Sequence, residues 1–220
     1  LKHPKKNNIL KIPIKDIQIL SSTDGLELDL IKNIHPNEKI LLISDENTRD
    51  VLGKRIFNNL SKKIDVKEYI WQNPSSSIQG IKKIQKISKD YSVLIAIGSG
   101  TISDTVKYVT FLDNKKFSIF STSPMNAYTS PTASISFNGI KKSIYTHSAS
   151  GVYFDMSVIA KAPTRLIRSA FSDVICRTTS QFDWMLSNRI LSTNYDDIPY
   201  FLLNFYEKDL LKKAKNINNH

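Results

Sequence analysis

The chain has 220 residues, 40% of them hydrophobic and 23% charged, which suits one large globular domain or two small ones with a sizeable core. The net charge is +11, but the lysines are scattered and form no arginine-rich stripe with interleaved aromatics, so diffuse solvated charge is favoured over a nucleic-acid face. No apolar run reaches membrane-spanning length, no signal-peptide pattern is present and the single Cys176 excludes an intrachain disulfide, all as expected of a cytoplasmic protein.

The chain opens at Leu1 and not at Met, so its natural start is expected upstream; short basic clusters stand at Lys2 to Lys6 and Lys212 to Lys215. Ile40 to Ser44 predicts a buried strand. The spacing of Val51, Ile56 and Leu60 predicts a helix over Asn47 to Lys62. Val66 to Trp71 is a second strand. Ile78, Ile81, Ile84 and Ile87 share one face of an amphipathic helix over Ile78 to Asp90. Val93 to Ile97 is so apolar that both faces must be covered, as in a parallel sheet. A helix over Thr101 to Leu112 and a strand over Phe117 to Phe120 follow. This alternation predicts a doubly wound, mostly parallel α/β domain over residues 1–160.

The texture then changes. Ser121 to Ser130 is a polar loop. Ala133 to Phe137 and Lys142 to Thr146 flank Asn138-Gly139 and predict a hairpin. Val152 to Asp155 is a short strand. Helical patterns run from Thr164 to about Asn188 and from Ile198 to Lys215, so residues 161–220 are expected to begin an all-helical domain.

Ile97-Gly98-Ser99-Gly100-Thr101-Ile102 carries the strongest chemical signal. A strand ends in two glycines and a helix begins, which points backbone N–H groups and the positive end of a helix dipole at an incoming anion. Side chains at the glycines would block a phosphate. Asp104 and Lys107 lie three apart on one face of that helix; they form a local ion pair, or Asp104 meets a ribose or substrate hydroxyl. Asp45 ends the first clear strand, where it serves as a helix cap or meets cofactor hydroxyls. Asp173, in Phe171-Ser172-Asp173, lies in an amphipathic helix; a carboxylate there is usually solvent-facing but can bind a metal from a cleft. The four histidines, His3, His35, His147 and His220, show no paired metal-ligand spacing.

These residues together resemble the sn-glycerol-1-phosphate dehydrogenases of the iron-containing alcohol dehydrogenase and dehydroquinate synthase superfamily. Gly98-Ser99-Gly100-Thr101-Ile102-Ser103-Asp104 followed by Lys107-Tyr108 is similar to that family's glycine turn. Asp45-Glu46-Asn47-Thr48 with Gly53, Met125-Asn126-Ala127-Tyr128-Thr129-Ser130, Phe154-Asp155, Ala162-Pro163, Phe171-Ser172-Asp173 and Asp183-Trp184 follow in the family's order. The resemblance implies an NAD- or NADP-dependent, metal-assisted oxidoreductase interconverting dihydroxyacetone phosphate and glycerol phosphate. It implies that Gly98, Ser99, Gly100, Thr101 and Ile102 hold the pyrophosphate and that Asp45 holds the adenosine end. Ser121, Thr122 and Ser130 surround the cofactor; Asp173 is the metal ligand, zinc being the expected ion. Asp173, Asn126, Asp104 and Lys107 are the candidate catalytic side chains, and the expected partner is a small phosphorylated polyol or ketone, with no nucleic acid and no membrane span. A homo-oligomer stays open.

The sequence departs from the family at Asn126, Ala127, Pro124 and Ser172, where Asp, Gly, Ser and Gly are common. The family's two histidine ligands come from further along the helical domain. The chain is therefore expected to be a piece of a longer enzyme or a reduced, non-catalytic nucleotide-binding relative. A dehydroquinate-synthase-like lyase and another polyol dehydrogenase are the remaining alternatives.

Overall fold

Leu41, Ile43, Leu94 and Ala96 pack into one buried cluster, and Ile40, Leu42, Val93, Ile95 and Ile97 pack into another. Successive side chains of a strand point to opposite faces, so these two strands are covered on both sides. The computed structural model describes residues 12–214. The basic cluster at Lys2 to Lys6, with His3, Lys215 and His220, lies outside the described residues.

The first unit ends at Lys161. In chain order it contains β1 (Asp16–Leu20), α1 (Glu27–Ile34), β2 (Ile40–Ser44), α2 (Glu46–Thr48), a π-helical turn (Arg49–Gly53), α3 (Lys54–Ser61), β3 (Val66–Ile70) and α4 (Ile78–Ile87). Then come β4 (Val93–Gly98), α5 (Gly100–Leu112), β5 (Lys116–Ser121), β6 (Thr132–Phe137), β7 (Ile140–Tyr145), β8 (Gly151–Asp155) and α6 (Met156–Ile159). Six strands form one parallel sheet in the order β1-β8-β5-β4-β2-β3. Ile81 and Ile84 of α4 and Ile102, Val106 and Val109 of α5 cover one face. Ile31 of α1, Ile56 and Leu60 of α3 and Val158 of α6 cover the other. This is the doubly wound α/β architecture expected from the alternation.

Two features correct the expectation in detail. β1 and α1 precede the first strand that the sequence pattern marked, and β1 closes one edge of the sheet against β8. The helix expected over Asn47 to Lys62 is interrupted by the π turn. There Gly53 lies close to the strand end, and a Cβ on it would stand 3.4 Å from Ser44 Oγ. The hairpin forms as expected, β6 antiparallel to β7, and stands apart from the main sheet. Its turn places Asn138 and Gly139 at φ 50° and 83°, the left-handed values that a two-residue hairpin loop needs.

Just after α1, His35 is 2% exposed, and its Nε2 lies 2.7 Å from Ser118 Oγ on β5. Burial, reinforced by the positive charge of Lys116, lowers its pKa to about 4. The unfolded chain binds a proton near pH 6.5 that the folded chain refuses until about pH 4. This contribution is therefore complete above pH 6.5 and is lost as pH falls through that window, by about 3 kcal/mol in total. Urea unfolding at pH 7, 5.5 and 4.5 is expected to show the decline, and His35→Gln to flatten it.

The second unit begins at Ala162 and contains α7 (Thr164–Leu191) and α8 (Ile198–Lys213). Ser192 ends α7 at a left-handed φ of 54°. Within the unit, the Trp184 indole N–H donates to the Asn194 carbonyl at 2.6 Å, and Arg177 pairs with Glu207. No residue of either helix is buried, and Phe182, Ile190, Phe205 and Tyr206 are exposed. Among the described residues no helix is long and apolar enough to cross a membrane.

Candidate functional site

In a parallel sheet all carboxyl ends lie along one edge, and ligands of open α/β folds bind there. β4 reaches that edge at Gly98. Ser99 is the N-cap of α5, and its side chain makes no capping hydrogen bond. The Ser103 amide returns to the Ser99 carbonyl at 3.0 Å, so Gly100, Thr101 and Ile102 form the open first turn. Their amides precede any intrahelical acceptor, at the positive end of a 13-residue helix. A Cβ on Gly98 would stand 3.1 Å from Ile102 Cβ, and one on Gly100 would stand 3.3 Å from Met125 Sδ. The turn is thus folded tightly on itself and lies next to the loop that follows β5.

Asp45 comes off the neighbouring strand at the same level. Ile43 pairs with Ala96, and Asp45 and Gly98 each lie two residues further on. Asp45 Oδ1 accepts from the Thr48 amide at 2.7 Å and the Thr48 hydroxyl at 3.0 Å, while the Asp45 amide donates back to Thr48 Oγ1 at 3.0 Å. This is a complete capping box. It uses one carboxylate oxygen, so capping and ligand binding are compatible roles for Asp45.

The loop after β5 is pinned from inside. The Tyr128 hydroxyl donates to the Gly98 carbonyl at 3.2 Å and is hydrogen-bonded to Ser123 Oγ at 2.9 Å; its ring is fully buried. Burial raises the phenol's pKa, so it stays protonated as a donor. Ser121 Oγ donates to the Ser123 carbonyl at 2.6 Å, and the Thr122 amide meets the Gly98 carbonyl at 3.4 Å. Ser130 Oγ lies 2.7 Å from Thr132 Oγ1, and Asn126 is exposed at the loop's outer side.

Lys107 is fully buried, and its ammonium donates to the carbonyls of Ala127 at 3.0 Å and Thr132 at 2.8 Å. Asp104 Oδ2 accepts from the Ser134 amide at 3.1 Å, and its Oδ1 stands 3.8 Å from Lys107 Nζ without a hydrogen bond. Burial raises the carboxyl's pKa and lowers the ammonium's, and each partner's charge opposes that shift in the other. These two side chains therefore tie α5 to the loop and the hairpin.

Asp45, Gly98 to Ile102, Ser121 and Thr122 lie along the carboxyl ends of neighbouring strands in the first unit, whereas Asp104, Lys107 and Ser130 hold contacts with the loop and the hairpin. Asp173 belongs to the second unit, exposed on α7. His35 and His147 are both held by core contacts; His147 Nε2 lies 3.0 Å from Thr110 Oγ1, and its ring stacks on Phe117 at 5.2 Å. Among the described residues no group of three or more His, Cys, Asp or Glu is arranged to hold a metal. Open backbone amides beside a carboxylate have the chemistry that suits a diphosphate and a ribose hydroxyl, and the described side chains do not by themselves form a metal centre.

The sequence pattern did not single out Tyr128 as the loop's anchor. A lone aromatic in a Ser- and Thr-rich loop directly after a strand was the available signal. Tyr128→Phe removes one hydroxyl from the Gly98 and Ser123 network. It is expected to lower stability by about 1 kcal/mol, read by thermal unfolding.

Comparison with known proteins points the same way. The model of the family described as iron-containing alcohol dehydrogenase matches residues 23–163, more than half of the chain. A glycerol-1-phosphate dehydrogenase [NAD(P)+] of Methanoregula boonei is 28% identical over 210 residues, 95% of this chain and 58% of the relative. That of Bacillus subtilis is 29% identical over 195 residues, 84% of this chain and 49% of the relative. The chain thus spans about half to three-fifths of the curated relatives it matches. Among solved structures, glycerol dehydrogenase from Schizosaccharomyces pombe superposes with a TM-score of 0.71 at 22% identity, over 84% of this chain and 48% of that one. NADH-dependent butanol dehydrogenase A from Thermotoga maritima gives 0.71 at 16% identity, over 84% and 54%. With its glycine turn, its capped Asp45 and a matched span that covers nearly all of the described first unit, the chain belongs to the iron-containing alcohol dehydrogenase family.

Proposed function

We propose that this chain forms the NAD(P)-binding portion of an oxidoreductase that interconverts dihydroxyacetone phosphate and glycerol 1-phosphate. The observation that carries this reading is the open first turn of α5, level with Asp45 at the carboxyl edge of a parallel sheet. Relatives named glycerol-1-phosphate dehydrogenase, matched over most of the chain, supply the substrate class. The nicotinamide, when bound, supplies the hydride acceptor or donor.

The chain's own residues bind and orient. The amides of Gly100, Thr101 and Ile102 neutralise the diphosphate, with Gly98 and Ser99 shaping the turn. Asp45 accepts from the adenosine ribose through its oxygen outside the capping box. The backbone at the end of β5, where the Ser121 and Thr122 side chains are buried, borders the cofactor together with Ser130. Asp104 and Lys107 hold the loop in place, and the exposed Asn126 amide offers donors and an acceptor to a substrate hydroxyl. Asp173 is this chain's candidate zinc ligand; one carboxylate does not make a site, so no step is assigned to a metal.

The test follows cofactor oxidation by the protein carrying this chain, with dihydroxyacetone phosphate, dihydroxyacetone and other small ketones as substrates. The phosphorylated ketone is expected to give a kcat/KM at least about tenfold above the others. Preference for an unphosphorylated ketone contradicts the substrate, and an absence of cofactor oxidation with every one of these ketones contradicts the activity.

A further inference from the structure

Asp45 lies at the end of the strand beside the glycine-turn strand, where a carboxylate suits a free ribose 2′-hydroxyl and a nearby arginine suits a 2′-phosphate. Such an arginine is present. Arg49 is the sole basic residue between Asp45 and Gly53, one helical turn beyond Asp45, and its amide bonds the Asp45 carbonyl at 2.8 Å. Its guanidinium, however, is engaged. Nε donates to Glu68 Oε2 and an Nη donates to Glu68 Oε1, both at 3.0 Å, in a two-pronged pair with the adjacent edge strand β3. Glu68 pairs with Leu42 in the sheet register, on the strand side of the edge rather than beyond it. Glu46 and Asp50 are both exposed beside Asp45 and add negative charge there.

We propose that Glu68 is a specificity-determining residue: by holding Arg49 against β3 it keeps that cation from a 2′-phosphate, so that this site takes NADH in preference to NADPH. The inference rests on the cofactor reading above and deepens it. Glu68 acts through Arg49 and touches no cofactor atom, so it is a positioning residue. Asp45 supplies the attraction to the hydroxyl, and the occupied arginine withholds a counter-charge from the phosphate. A fork-shaped pair suits this role, because Arg49 cannot serve both acceptors with full geometry.

The experiment is a fluorescence titration of the protein carrying this chain with NADH and with NADPH, for wild type, Glu68→Gln and the double variant Arg49→Met/Glu68→Gln. Circular dichroism confirms that each is folded. Wild type is expected to bind NADH about tenfold more tightly than NADPH. Glu68→Gln is expected to tighten NADPH about fivefold, narrowing the ratio, and the double variant to lose that gain. A purely structural pair would alter stability and leave the ratio where it was. A wild-type preference for NADPH, or a ratio unchanged across the three proteins, overturns the proposal while the cofactor reading stands. Failure of wild type to bind either dinucleotide overturns both. Should Glu68→Gln not fold, Glu68→Asp serves in its place, since the shortened carboxylate loosens the two-pronged pair without removing its charge.

Discussion

Replacing Gly100 by Asp is expected to lower NADH affinity by about a hundredfold, close to 3 kcal/mol, without loss of the fold. The two consequences have opposite signs for one physical reason. Gly100 is the first residue of α5, where a carboxylate faces the positive end of the helix dipole. For the free protein that is favourable by about 0.3–1 kcal/mol. The added Cβ meets only the flexible end of Met125, at 3.3 Å from Sδ and 3.4 Å from Cε, which can move aside. The same carboxylate then occupies the anion position and repels a diphosphate. Thermal unfolding should therefore show an unchanged or slightly raised midpoint while calorimetric titration shows binding nearly gone. Gly100→Ala is the control and should weaken binding only modestly. Wild-type affinity in Gly100→Asp contradicts placing the diphosphate on these amides.

The largest expected loss of stability lies at another point on the same sheet edge. Asp155 ends β8, Thr23 follows β1, Glu27 opens α1 and Arg55 projects from α3. Arg55 donates to Asp155 Oδ2 at 2.5 Å, to Glu27 Oε1 at 3.0 Å and to Thr23 Oγ1 at 2.7 Å. Both carboxylates are fully buried. Burial alone would raise the Asp155 pKa, but hydrogen bonds from Ser157, Thr23 and Arg55 outweigh it and hold the carboxyl well below its ordinary 3.8. That stabilisation is complete above the ordinary value and is lost as pH falls below it. Arg55→Met leaves two buried carboxylates without their cation and is expected to cost about 3–5 kcal/mol at neutral pH. The deficit should shrink in acid, because protonation neutralises the stranded Asp155 carboxylate. Urea unfolding of both proteins at pH 7 and pH 3 checks this; an equal deficit at both would mean that lost packing, and not charge, sets the cost.

How far the sequence reveals this molecule depends on how local each feature is. β2, β4 and β5 are legible because central strands of a parallel sheet are apolar at nearly every position. β1 is not, because it lies at an edge: Ile17 and Ile19 are exposed, and its burial alternates over only five residues. α1, directly after it, had no strand beside it to mark its start. The glycine turn and the hairpin are legible because their backbone geometry demands particular residues, glycine at Gly100 for close approach and Asn138-Gly139 for positive φ. The roles of Lys107 and Tyr128 depend on distant partners. Lys107 reads as a helix-surface ion pair from its spacing to Asp104, yet it is buried and bonds carbonyls 20 and 25 residues away. The Arg55 cluster joins residues 28 and 100 apart, which no periodicity encodes. Asp45 was legible as a cap or a ligand group, and the capping box accounts for one of its oxygens.

The proposed function requires a dinucleotide's diphosphate to rest on the amides of Gly100, Thr101 and Ile102. Amide-resolved magnetic resonance of the isotope-labelled chain during titration with NADH tests it most directly. Saturable shifts are expected to concentrate at Gly98 to Ile102, with Asp45 and the Ser121 to Thr122 strand end moving along the same binding curve. Saturable shifts elsewhere in the molecule with the α5 amides unmoved, or no saturable shift at millimolar NADH, would contradict it.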